Sequence, residues 1–62
     1  MTLTEARDIV RGLGLTFRHD YPQYRVAFKG PDNEASAYYA DDLQDAVNTA
    51  RAMAKRRDEA LS

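Results

Sequence analysis

The longest periodic signal in the chain runs from Tyr38 to Arg57, an aromatic pair leading into a capped, alanine-rich helix. Leu43, Ala46, Val47, Ala50, Met53 and Ala54 recur at helical spacing, with Arg57 next in the row. One stripe of this helix is therefore apolar and must be buried against another element. The helix is expected to begin at Asp41-Asp42-Leu43-Gln44, with an acidic residue at the N-cap and Gln44 three residues after Asp41, a variant of the capping box. Asp41, Asp42 and Asp45 stand at its start and Arg51, Lys55, Arg56 and Arg57 near its end, which matches the helix dipole at both ends. Residues 58–62 are expected to fray.

The rest of the chain supplies what that stripe packs on. Thr2-Leu3-Thr4-Glu5 is a capping box, and Leu3, Ala6, Ile9, Val10 and Leu13 follow on one face, which predicts a first helix over about residues 3–12. Gly14 is the candidate for the left-handed position that ends it. The period then changes to two. Leu15, Phe17 and His19 alternate with Thr16, Arg18 and Asp20; after a turn at Tyr21-Pro22-Gln23, Tyr24, Val26 and Phe28 alternate with Arg25, Ala27 and Lys29. Gly30-Pro31-Asp32-Asn33-Glu34 reads as a loop, and Ala35 to Ala40 as a weaker third strand, since alanine has low strand propensity. Short connections between successive strands imply an antiparallel meander. The expected fold is α+β: a single two-layer α-β-β-β-α domain over residues 1–62, with both helices on one face of a three-stranded sheet.

A chain of 62 residues has room for one small core, and at this size only about 60% of the unfolded surface is buried on folding. Small scaffolds commonly add disulfides, a metal or a partner subunit. The absence of cysteine removes the first, and a single histidine makes an imidazole metal site improbable. Self-association is the device that remains. No apolar leader precedes the first helix, and no run approaches the roughly 20 apolar residues that cross a bilayer, so a cytoplasmic protein with no membrane contact is expected. The net charge of −1 gives no overall basic field for nucleic acid. The charge is nonetheless segregated along the chain, with Asp32, Glu34, Asp41, Asp42 and Asp45 forming an acidic stretch between two more basic ones.

Residues that could carry chemistry are few. His19 is the only side chain with an ordinary pKa near neutrality, and its alternation with Leu15 and Phe17 reads as a partly buried, stacked or hydrogen-bonded histidine at a strand end. The two serines, Ser36 and Ser62, have no pattern linking them to it. Asp41, Asp42 and Asp45 could attract a hard cation, but helix capping accounts for all three. No catalytic residue, metal ligand or cofactor site is expected.

Two surfaces remain as candidates for binding. If Phe17, Val26, Phe28 and Tyr39 face the helices, then Arg18, Arg25, Lys29, Ser36 and Tyr38 share the open sheet face. Cations beside an aromatic on a sheet form a platform for phosphates and stacked bases, although any half-exposed sheet also needs a polar face. The nucleic-acid-binding set is then Arg18, Arg25, Lys29 and Tyr38. The competing surface is the third strand itself. Ala35-Ser36-Ala37-Tyr38-Tyr39 carries no charge and no proline, and in a meander it lies at an edge, where it can pair with another strand. Two copies joined there across a twofold axis would form one continuous sheet.

Three resemblances bear on this. The α-β-β-β-α order resembles double-stranded RNA-binding domains, whose last helix begins with a lysine cluster; here that position reads Asp41-Asp42-Leu43-Gln44-Asp45. The size and order are also similar to HicA-type toxins, small RNA-cleaving proteins, and Gly14-Leu15-Thr16-Phe17-Arg18 is like their entry into the first strand. Their catalytic histidine begins the second strand in a Gly-Ser-His motif, where this chain has Pro22-Gln23-Tyr24. The stretch Asn33 to Leu43 and its following helix resemble small uncharacterised proteins of bacterial and prophage genomes, which implies no particular activity. The expected function is a non-enzymatic binding module, acting as a homodimer or on a protein partner through the third strand. The alternative is a nucleic-acid-binding accessory protein of phage or plasmid type that uses the basic sheet face.

Overall fold

The computed structural model describes residues 1–30 and 37–61. Five elements follow in the order α1 (Leu3–Gly12), β1 (Leu15–Asp20), β2 (Gln23–Phe28), β3 (Tyr38–Ala40) and α2 (Leu43–Leu61), an α+β arrangement with a three-stranded antiparallel sheet.

Helix α1 starts where the capping box places it. The Thr2 hydroxyl accepts from the Glu5 backbone N–H at 3.1 Å and donates to Glu5 Oε1 at 3.3 Å, satisfying one of the orphan donors of the first turn. Its apolar stripe buries Ala6 and Val10 completely, with Leu3, Ile9 and Leu13 packed alongside. It ends because Gly14 takes φ +83°, a left-handed conformation that glycine adopts without Cβ strain, while its N–H donates to the Arg11 carbonyl at 3.0 Å.

The strand order is β1-β2-β3, so β1 and β3 are the two edges. In register, Leu15 faces Phe28, Phe17 faces Val26 and His19 faces Tyr24; across the other seam Tyr24 faces Ala40, Arg25 faces Tyr39 and Val26 faces Tyr38. Period-two alternation then sorts the side chains into faces. Leu15, Phe17, Val26 and Ala40 pack under the helices against Ala6, Val10, Ala46, Val47, Ala50 and Ala54. The largest fully buried side chains are Leu15, Val10, Val26 and Val47, each contributing about 1.5–3 kcal/mol by leaving water. Half of the ten-residue cluster is alanine, which lets the helices approach the sheet closely but buries little area per residue.

The third strand differs from its expected form in two ways. Among the described residues pairing covers Tyr38–Ala40 and leaves out Ala37; residues 35 and 36 of the expected span 35–40 lie outside the described residues. The facing of the tyrosines is reversed. Tyr38 stands on the helix side with Ala40, and Tyr39 stands on the open face beside Arg25. Ala40 decides this: it is fully buried where α2 begins, a place only a small side chain can fill, and alternation then carries Tyr39 outward.

Helix α2 departs from its expected form at its start. Asp42, rather than Asp41, caps it, its Oδ1 accepting from the Asp45 N–H at 2.7 Å and its carbonyl from the Ala46 N–H at 3.1 Å. The helix runs on through Leu61, since Asp58-Glu59-Ala60-Leu61 contains neither glycine nor proline to stop it.

Candidate functional site

Beside β3 the middle turns of α2 and the edge strand leave a groove of about 460 Å³, lined by Ala37, Tyr38, Thr49, Ala52, Met53 and Arg56 among others. Tyr38 lines it, while Tyr39 stands on the other face of the strand; the two are similarly exposed, Tyr38 at 42% and Tyr39 at 43%. The Tyr38 hydroxyl donates to Asp45 Oδ2 at 3.1 Å, tying the edge strand to the first turn of α2. That bond and the nearby negative charge of Asp45 hold the Tyr38 phenol above its ordinary value, because deprotonation would lose the bond and place two anions together.

The face of α2 beside this groove has its own pattern. Asp45, Thr49, Ala52 and Arg56 recur at helical spacing, so an acid and a base stand at opposite ends of a stretch of small side chains. Ala52 and Arg56 are exposed, and Asp45 and Thr49 are half-buried.

Of the residues expected to bind a partner, Ala37, Tyr38 and Tyr39 sit at this edge, and Ala35 and Ser36 lie outside the described residues. The cationic set expected for nucleic acid does not assemble. Arg18 and Arg25 do face each other across β1 and β2, but Arg25 is only 5% exposed and Arg18 is held 3.5 Å from Asp20. Lys29 lies past the end of β2 and lines a different groove, with Gly14, Phe28, Arg56, Arg57 and Ala60. Tyr38 is on the opposite face, bonded to Asp45, and Tyr39 takes the place expected for it. The correction has the same cause as the strand's reversal: burial of Ala40 sets the parity.

His19 is exposed rather than partly buried, and it is stacked as expected. Its ring lies 4.7 Å from that of Tyr24 at 17°, Tyr24 stacks in turn on Phe17 at 6.0 Å, and Tyr21 meets His19 edge-on at 6.1 Å. The histidine terminates an aromatic row at the hairpin end, where the helices no longer cover the sheet.

No group of three or more histidine, cysteine, aspartate or glutamate side chains able to hold a metal ion occurs among the described residues. Among the same residues no helix is long and apolar enough to cross a membrane. The groove that holds Lys29 escaped the sequence reading because its lining comes from three separate segments, which only folding brings together. Of the two grooves, the one beside β3 holds Ala37 and Tyr38 from the set expected to bind a partner. No protein-family model, curated protein or solved structure matches the chain.

Proposed function

We propose that this chain is a non-enzymatic binding module that self-associates along β3 and the adjoining face of α2. A cytoplasmic setting suits it, since a cysteine-free chain draws no stability from an oxidising compartment. The observation that carries the reading is the self-complementary pattern on α2. Strands pairing antiparallel across a twofold axis bring their following helices together antiparallel as well. With the axis between Thr49 and Ala52, Asp45 of one copy faces Arg56 of the other, and the small side chains at the centre allow close approach. The uncharged, short β3 edge offers free backbone groups for the same contact, and the alanine-rich core of so small a domain gains most from added buried surface.

The nucleic-acid alternative is weaker, because Lys29 and Tyr38 lie away from the face that Arg18 and Arg25 share, and Arg25 is buried. Sedimentation equilibrium over a range of protein concentrations tests the reading. The expected result is a reversible dimer that Ala52→Lys converts to a folded monomer. A wild-type chain that stays monomeric at millimolar concentration would sink it.

A further inference from the structure

The second groove sits at the far end of the molecule, where β1 begins, β2 ends and α2 makes its last turns. Its volume is about 520 Å³, within the range of small-molecule sites. Phe28 forms the floor. It alternates with Val26 toward the helices but remains only half-buried, unlike Val26, which is fully covered. Gly14 and Ala60, which line the groove with it, are both too small to cover its ring. Gly14 is held to glycine by its φ of +83°.

The rim is cationic. Lys29, Arg56 and Arg57 come from the end of β2 and the last turns of α2, and no carboxylate lines the groove among the described residues. Arg57 pairs with Asp58 at 3.2 Å, while neither Lys29 nor Arg56 makes an ion pair among the described residues. An apolar floor under three cations is complementary to one kind of ligand, a molecule with an apolar body and a single anionic head.

We infer that this groove binds a small amphipathic anion, an acyl chain or ring ending in a carboxylate, with its body on Phe28 and its head between Lys29 and Arg56. The ligand enters from solution as a monomer. The site is separate from the β3 edge except at Arg56, so its test uses Lys29 and Ala60.

Decanoate below its micellar concentration is the probe, followed by amide chemical shifts of the labelled full chain. Saturable shifts confined to Phe28, Lys29, Arg56, Arg57 and Ala60 are expected. Lys29→Glu should weaken binding by about tenfold, the scale of one lost charge-assisted bond. Ala60→Phe, which fills the space over the ring, should abolish it while the helical signal is kept. Decanol and decyltrimethylammonium should bind far more weakly. Equal binding of decanol, an unchanged affinity in both variants, or shifts absent from these residues would overturn the inference. So would co-sedimentation with anionic phospholipid vesicles in the absence of decanoate binding, which would place the anion in a bilayer.

Discussion

The Tyr38 hydroxyl donates to Asp45 Oδ2 across 3.1 Å, joining the edge strand to the first turn of the helix that follows it. The bond requires a protonated phenol, and its acceptor's charge raises the Tyr38 pKa. A group whose folded pKa is raised stabilises the fold fully below its unfolded value, about 10 for tyrosine, and loses that contribution as pH rises through the folded value. Alkaline titration followed at the Tyr38 ring by NMR should give a lower midpoint in Asp45→Asn than in wild type. An unchanged midpoint would mean that the bond is not made in solution.

The self-association reading makes a charge-reversal prediction. Asp45→Lys alone and Arg56→Glu alone should each weaken the dimer by about three- to thirtyfold, the scale of the two symmetry-related, partly exposed ion pairs that each substitution removes, and the double variant should recover most of the loss. Sedimentation equilibrium reads all three. Loss without recovery would rule out the antiparallel register with Asp45 opposite Arg56.

The capping geometry of α2 separates two adjacent aspartates. Asp42→Ala removes the acceptor of the Asp45 N–H and should lower stability by about 1 kcal/mol in urea unfolding. Asp41→Ala removes only a 3.5 Å contact from Gln23 and should fall within about 0.5 kcal/mol of wild type. Equal losses would return the cap to a shared role.

Gly14 meets two constraints at once. Its φ is +83°, and a Cβ there would stand 2.8 Å from Arg57 Nη1. The guanidinium is the end of a flexible side chain and can swing away, so the backbone term dominates. Gly14→Ala should destabilise by about 1–2 kcal/mol, and the loss should persist in an Arg57→Ala background. Full relief by Arg57→Ala would show that the contact, and not the φ, was limiting.

What the chain determines by itself is everything that depends on near neighbours. The Thr2–Glu5 box, the end of α1 at Gly14, the two strands of the first hairpin and the apolar row of α2 each rest on residues within a turn or a pleat of one another. The α+β order follows from them. What folding decided is parity and assembly. Tyr38-Tyr39 reads equally well with either ring inward, because alternation sets a period and not a phase. The phase came from burying Ala40 under α2, and it moved Tyr38 onto Asp45 and Tyr39 onto the open face. Arg25 likewise reads as an exposed cation until its neighbours cover it. The Lys29 groove joins residues from distant parts of the chain, and two of those that line it beside Phe28, Gly14 and Ala60, are small. Local periodicity carries no information about which side chains will be missing from a distant surface.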